Sequence, residues 1–206
     1  MEPLKDTYKS IERKGEGLYK MSGSRFIAFA YPIETVAEVK PILDSLKKEY
    51  YDARHHCYAY RVGSGGEFYR ANDDGEPSSS AGRPILGQID SKGLSDVLVV
   101  VIRYFGGIKL GIPGLIKAYK TSSAQALESG GLREKISGRR FSIIFGHEAM
   151  GQVMSAMKDF GVRLERRSFQ MECEIDFWVR LSDEPALLSR LGDIKGCSCS
   201  PIVKEE

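Results

Sequence analysis

Apolar and polar residues alternate with strand and helix periodicity through the first two thirds of the chain. Strand patterns cover residues 25–31, 55–62 and 97–102. The last run is apolar at every position, which predicts a central strand covered on both faces. Apolar residues within 36–46 fall on a single helical face, and Pro41 inside that pattern marks either a kink or the true start of the helix.

Turn-forming residues separate these segments. Residues 10–20 give only a weak strand pattern, because two glycines interrupt it. Glycines in 63–66 predict a hairpin turn, and 73–82 predict a loop rich in turn formers. A short helix is predicted from Arg83, since the proline that follows suits a first helical position. A longer helix is predicted at 113–129.

The last third of the chain shows a different order of elements. Paired glycines end the preceding helix, and the charged stretch up to residue 140 predicts a linker. Beyond it the pattern reads strand, helix, strand, strand, helix, strand, which is the ferredoxin-like order. The strands are predicted at 141–146, 162–169, 171–179 and 196–203, and the helices at 147–159 and 183–191. The sequence therefore predicts an α+β protein with two domains, 1–136 and 137–206.

Composition argues against several classes of protein. The chain has 206 residues, of which 30 are basic and 28 acidic, and this balance does not indicate a nucleic-acid-binding protein. The longest apolar run, 97–102, is too short to span a membrane, and the N-terminus lacks the apolar core of a secretory signal. Four cysteines are too few for a disulfide scaffold. We expect a soluble cytoplasmic protein without a membrane partner, a cofactor or a bound metal.

Arg103 ends the most apolar strand of the chain. An unpaired charge there is costly to bury, so Arg103 must surface or find a partner. The candidate partners are Asp73, Asp74 and Glu76, and such a pair would fasten the acidic loop over the sheet. The alternative is a contact between Arg103 and a ligand. The three carboxylates suit either Mg²⁺ or a hydrogen-bonded turn, and the turn is favoured because the calcium-loop pattern is absent.

The glycines after that strand allow two interpretations. Gly106, Gly107 and Gly111 either expose backbone N–H groups to an anion or supply positive φ and close packing. In the first case Lys109 and Lys117 would add positive charge. The spacing of the glycines matches neither the Walker loop nor the dinucleotide fingerprint.

Ser80 is a candidate nucleophile only if a base lies within hydrogen-bond reach. His55 and His56 are the available bases, on a strand that must approach the loop for this to work. The Gly-x-Ser-x-Gly nucleophile elbow is absent from this segment, and buried, hydrogen-bonded histidines are the simpler interpretation. We therefore expect no catalytic residue.

The second predicted domain carries several arginines. Arg163 and Arg167 are predicted to share a strand face with Glu165. This face either contacts a phosphate backbone or is solvated and crossed by salt bridges. The aromatic platform of an RNA-recognition sheet is not evident.

Three segments are unusual enough to indicate a family. They read ARHHCYAY at 53–60, DDGEPSSSAGRPIL at 73–86 and VIRYFGGIKLGIPGLIKAY at 101–119. These segments resemble the IMPACT family, in particular its bacterial YigZ-like branch. Pro113 stands where that family usually has glycine, and it removes one N–H from the start of a helix.

The resemblance implies a fold and a function. The first domain should resemble the second domain of a small-subunit ribosomal protein, as an α+β sandwich. The second should resemble the last domain of the ribosomal translocase, a ferredoxin-like module. Eukaryotic relatives regulate translation by contacting an activator of a stress kinase.

We therefore expect a non-enzymatic cytoplasmic regulator of translation that binds a ribosomal component, RNA or a translation factor. The alternative is a hydrolase or phosphate-handling enzyme that uses the cleft between 73–82 and 103–117. In both cases the candidate residues are Asp73, Asp74, Glu76, Ser80, Arg83, Arg103, Gly106, Gly107, Lys109, Gly111, Lys117 and His56.

Overall fold

The computed structural model describes residues 6–202 and has an α+β fold, as the sequence predicts. These residues divide into two compact units, Tyr8–Lys135 and a second unit made of 6–7 with 136–202. The strands are β1 (Thr7–Ile11), β2 (Gly15–Met21), β3 (Ser24–Pro32), β4 (His55–Val62), β5 (Phe68–Asn72), β6 (Val97–Tyr104), β7 (Leu132–Ile136), β8 (Gly138–Phe145), β9 (Arg163–Phe169), β10 (Cys173–Arg180) and β11 (Ser198–Pro201). The helices are α1 (Val39–Glu49), α2 (Gly82–Ser91), α3 (Gly111–Ser129), α4 (Met150–Asp159) and α5 (Glu184–Gly192).

The unit Tyr8–Lys135 is built on a five-stranded antiparallel sheet in the order β2-β3-β6-β4-β5. The predicted central strand is β6. Its odd-numbered valines pack with α2 and α3, whereas Leu98, Val100 and Ile102 pack with α1 on the other face. The run is apolar at every position because helices cover both faces of this strand.

The helix starts follow the local chemistry. A 3₁₀ turn, Val36–Glu38, precedes α1. Pro41 is the third residue of α1, so it lies in the first turn, where its missing N–H needs no partner. α2 begins at Gly82, one residue before the predicted start, and α3 begins at Gly111, two residues before it.

A two-residue turn joins β2 to β3. Ser22 has φ 47° and Gly23 has φ 76°, and positive φ at both central residues is typical of a type I′ hairpin turn. Met21 pairs with Ser24 across the turn, and this fixes the register of the whole hairpin.

The predicted linker is wrong. Residues 132–136 form β7, which pairs with β1 in a two-stranded sheet, and β8 already begins at Gly138. Charged side chains fit this strand because Arg133 and Glu134 are exposed and Lys135 pairs with Asp96 at 2.7 Å, while the distant β1 supplies the backbone partners.

The second unit has the predicted β-α-β-β-α-β order, with β8, α4, β9, β10, α5 and β11 in sequence. Its four antiparallel strands lie in the order β11-β8-β10-β9. Cys173, Ile175, Phe177 and Val179 alternate along β10 and are buried in the core of this unit.

A register shift in β9 changes which arginines share a face. Leu164 pairs with Phe177 and Arg166 with Asp176, so Glu165 is an extra residue in β9, as in a β-bulge. Arg166 therefore joins Arg163 on one face, and the prediction that Arg167 does so is wrong. The ion pairs of that face favour the solvated interpretation, since Arg166 lies 2.7 Å from Asp176.

None of the helices within 6–202 combines the length and the apolar character that crossing a bilayer requires.

Candidate functional site

The acidic loop, residues 73–82, follows β5 and leads into α2. Both carboxylate oxygens of Asp73 accept backbone hydrogen bonds, from Ser79 at 2.8 Å, Ala81 at 2.9 Å and Gly82 at 2.8 Å. The first N–H groups of a helix lack partners within the helix, and a carboxylate there also interacts favourably with the helix dipole. Asp73 therefore caps the N-terminus of α2, although it lies nine residues before the helix begins.

Asp74 fastens the same loop to β4. Its carboxylate accepts the backbone N–H of His56 at 2.6 Å, and its carbonyl oxygen lies 2.8 Å from Nδ1 of His55. Asp74 has φ 41°, a left-handed conformation that aspartate tolerates better than most residues. The loop is therefore held at two successive residues.

Of the three candidate partners of Arg103, Glu76 is the one that it pairs with. Nη1 of Arg103 donates to Oε1 of Glu76 at 2.6 Å and to Oε2 at 2.8 Å. The Arg103 side chain is 9% exposed and that of Glu76 is 3% exposed, so the ion pair is buried. The guanidinium also lies 5.6 Å from the ring centre of Phe26 and 5.7 Å from that of Phe105. Fastening the loop is the role that this geometry gives Arg103.

Tyr119 and Cys57 extend the ion pair into a buried polar network. The Tyr119 hydroxyl donates to Glu76 at 2.8 Å, and the Cys57 thiol lies 3.3 Å from that hydroxyl and 3.0 Å from the Asp73 carbonyl oxygen. Burial raises the pKa of the Cys57 thiol and that of the Tyr119 hydroxyl well above their usual ranges. Both groups stay protonated near neutral pH and neither is activated as a nucleophile.

Tyr119 and Cys57 are not among the residues predicted for the site. Tyr119 lies on the buried stripe of α3. A signal was present, since a tyrosine hydroxyl on a buried stripe usually needs a hydrogen-bond partner.

Ser80 is not brought together with His56, one of its two candidate bases. Ser80 is fully buried, and its hydroxyl donates to the Pro77 carbonyl at 2.6 Å. Side chains alternate along β4, so His56 lies on the α1 face of the sheet, whereas Ser80 precedes α2 on the other face. Burial lowers the pKa of His56, which favours its neutral form, and its Nε2 has no hydrogen-bond partner among residues 6–202.

The glycines of the β6–α3 turn have structural reasons to be glycine. A Cβ on Gly106 would overlap the backbone of Gly23 and Ser24, and the Gly106 N–H donates to the Ser24 hydroxyl at 3.0 Å. Gly107 has φ 86° and Gly111 has φ 68°, in the left-handed region that glycine occupies freely. Close packing and positive φ therefore account for all three candidate glycines.

The exposed part of the site is apolar and cationic. Phe105, Ile108 and Ile112 are 54%, 60% and 53% exposed, and Lys109 and Lys117 are exposed beside them in the sequence. We call these five residues the turn surface. The start of α3 lies within it and, unlike that of α2, has no side-chain cap. The three apolar members were not predicted for the site, although large apolar residues in a glycine-rich turn are visible in the sequence.

The candidate residues therefore separate into a buried and an exposed set. The buried set has polar groups that point inward or form hydrogen bonds within the protein; it comprises Asp73, Asp74, Glu76, Ser80, Arg103 and His56. Arg83, Lys109 and Lys117 are exposed and form no salt bridge with another part of 6–202. No three histidine, cysteine, aspartate or glutamate side chains in that range are arranged to hold a metal ion.

The segments that form this candidate site also identify the protein family. Residues 22–127 match the family model described as the Impact N-terminal domain. The chain belongs to the IMPACT family. This match covers more than half of the chain and confirms the resemblance seen in the sequence.

Individual IMPACT family members agree with this assignment. The chain is 32% identical over 173 residues to IMPACT family member YvyE of Bacillus subtilis, covering 84% of this chain and 80% of that protein. It is 42% identical over 106 residues to IMPACT family member YigZ of Escherichia coli, covering 50% of this chain and 52% of that protein. These relatives fit the bacterial branch.

A solved structure supports the fold across the whole chain. A crystal structure described as that of a hypothetical protein matches with a TM-score of 0.74 and 25% sequence identity. The match covers 98% of this chain and 100% of the other. The α+β fold is therefore shared over both units.

Proposed function

We propose that this IMPACT family member is a binding protein that regulates translation, and that a protein of the translation machinery docks on its turn surface. One observation carries the proposal. Three large apolar side chains, Phe105, Ile108 and Ile112, are each more than half exposed within eight residues of sequence. Clustered exposed apolar side chains mark interaction sites, and the lysines near them in the sequence suit an acidic partner. Regulation of translation itself is what the family resemblance implies.

The hydrolase alternative has less support from the geometry. General base catalysis needs a base within about 3 Å of the proton that it removes, or one water away. Ser80 donates inside its own turn, and Glu76 is occupied by Arg103 and Tyr119. The polar groups that suggested a hydrolase therefore stabilise the acidic loop, and the turn surface is the part available for binding.

A protein partner fits the turn surface better than RNA does. RNA binding uses several cations that follow the phosphate backbone, together with aromatic rings that stack on bases. The turn surface offers two lysines, one aromatic ring and two isoleucines. Aliphatic side chains at the centre of a surface with a charged rim are typical of protein interfaces.

Affinity capture from lysate, followed by co-sedimentation with purified ribosomes, tests the proposal. We expect wild-type protein to retain a ribosomal protein or a translation factor, with and without nuclease. Ile108→Asp should abolish capture, because it places a charge at the centre of the turn surface. Leu132→Asp is the matched control, since Leu132 is 67% exposed on β7 and outside that surface.

Three results would contradict the proposal. Capture of no ribosomal or translation component would remove the link to translation. Retention that nuclease abolishes would show that RNA mediates the contact. Equal losses with Ile108→Asp and Leu132→Asp would show that the turn surface is not the site.

A further inference from the structure

β2 is an edge strand, and its outer side has no partner among residues 6–202. The two-residue turn closes on the hydrogen-bonded pair Met21–Ser24, and bonded and non-bonded pairs alternate along an antiparallel ladder. The N–H and C=O groups of Glu16, Leu18 and Lys20 therefore point away from β3. Among residues 6–202, none of these groups makes a hydrogen bond to another segment.

The side chains of the same three residues share one face. Glu16, Leu18 and Lys20 are all exposed, and Leu18 is 50% exposed. They line an open groove of about 470 Å³ whose floor includes Ile27 and Phe29. Leu18 is thus a large apolar residue at the centre of an unpaired edge, between an acidic and a basic residue.

The order of these residues makes β2 complementary to itself. In an antiparallel pair with Leu18 opposite Leu18 of a second copy, Glu16 of each copy lies opposite Lys20 of the other. All three pairs use backbone groups that point outward, so charge pattern and hydrogen-bonding pattern agree in a single register. We propose that β2 pairs with β2 of a second copy of this chain, which joins two five-stranded sheets across a two-fold axis at Leu18. Such an isologous interface is the usual form of a homodimer.

The opposite face of β2 makes the edge rigid. A Cβ on Gly15 would overlap the Ala126 carbonyl of α3, and a Cβ on Gly17 would overlap that of Ser122. α3 therefore lies directly on the backbone of β2 and holds it in place. A preorganised strand loses little conformational entropy when it pairs, which favours association.

A second copy would also relieve a like-charge contact. Lys20 pairs directly with Arg25 of β3, and neither residue forms a salt bridge within 6–202. Like charges opposite each other destabilise a sheet. Glu16 of the second copy would lie opposite Lys20 and offset its charge. Its present partner, Lys14 at 3.0 Å, is 46% exposed, and such surface pairs are weak enough to exchange.

Charge reversal tests the register by sedimentation equilibrium of the full chain. Glu16→Lys alone and Lys20→Glu alone each turn both cross-copy attractions into repulsions. Each should weaken self-association by on the order of tenfold or more. A mixture of the two variants restores both attractions, so it should form a heterodimer at least as readily as wild type self-associates. Leu18→Asp should give a monomer, with an unchanged circular dichroism spectrum.

Disulfide mapping gives an independent measurement. In a hydrogen-bonded antiparallel pair the Cα atoms are about 5.5 Å apart, within disulfide range, so Leu18→Cys should cross-link on oxidation. Lys20→Cys is the matched control, because the two copies of residue 20 would be about 14 Å apart. A wild-type monomer at every concentration would overturn the proposal. A dimer insensitive to Leu18→Asp, a mixture that does not associate, or equal cross-linking of both cysteine variants would do the same.

Discussion

Removing Arg103 should destabilise the unit Tyr8–Lys135 more than removing any exposed arginine. Arg103→Ala leaves the Glu76 carboxylate, 3% exposed, without the two hydrogen bonds of 2.6 and 2.8 Å that it now accepts from Arg103. Among residues 6–202, only the Tyr119 hydroxyl then remains as a donor to Glu76. Breaking one side of a buried pair costs about 3–5 kcal/mol, because the other charge stays buried. That is a large share of the total stability of an ordinary domain, which is about 5–15 kcal/mol.

Urea unfolding followed by far-ultraviolet circular dichroism measures this loss. With a denaturant slope of about 1–3 kcal/mol per molar, a loss of about 3–5 kcal/mol should lower the midpoint by roughly 1–5 M. Arg83→Ala is the matched control, because Arg83 is an exposed arginine in α2 and should change stability by about 0.5 kcal/mol or less. The single tryptophan, Trp178, follows the second unit separately by fluorescence.

A double-mutant cycle separates the pair from its surroundings. Arg103→Met combined with Glu76→Met removes both charges and keeps apolar volume, so the double variant should be more stable than Arg103→Met alone. A loss below about 1 kcal/mol for Arg103→Ala would refute the reasoning, since exposed pairs contribute that little. Strictly additive effects of the two methionine substitutions would refute it as well.

Three further predictions concern other parts of the fold. Asp73→Ala should lower the thermal midpoint by the equivalent of about 1–2 kcal/mol, because α2 loses its cap; an unchanged midpoint would show that water replaces the carboxylate. Gly106→Ala should destabilise by about 1–3 kcal/mol in urea unfolding because backbone must move, whereas Gly87→Ala, with open space around it in α2, should stabilise by up to about 1 kcal/mol. Hydrogen bonding from Arg166 lowers the pKa of the Asp176 carboxyl in the folded protein. The ion pair therefore stabilises the fold at pH values above the ordinary aspartate pKa of about 4, and this stabilisation is lost as the pH falls through the lower pKa of the folded state. Tryptophan-monitored urea midpoints should therefore drop in acid less steeply for Arg166→Met than for wild type, and parallel curves would contradict this.

Local patterns predicted most of the elements because their causes are local. β4 has the predicted bounds, 55–62, and the apolar run of β6 identified the centre of the sheet. The cost of burying an unpaired charge also favoured an acidic partner for Arg103. Each of these inferences rests on neighbouring residues or on the free-energy cost of burying an unpaired charge, which is the same in any fold.

The features that were missed depend on contacts distant in sequence. β7 is stabilised by pairing with β1, more than a hundred residues earlier, and nothing within 129–140 signals that partner. The choice of Glu76 among three carboxylates depends on how the loop folds back over β6. The β-bulge that moves Arg166 to the face of Arg163 arises from the pairing of β9 with β10. Sequence spacing alone describes a regular strand and cannot reveal an extra residue.

The close approach of α3 to Gly15 and Gly17 has an evolutionary consequence. These positions carry no side chain, so the backbone of β2 packs directly on α3 there. The side chains of residues 16, 18 and 20 are not needed for that packing. Relatives could then exchange those three residues without disturbing the interior. Partner choice along this edge would diverge between lineages while the scaffold beneath it stayed constant.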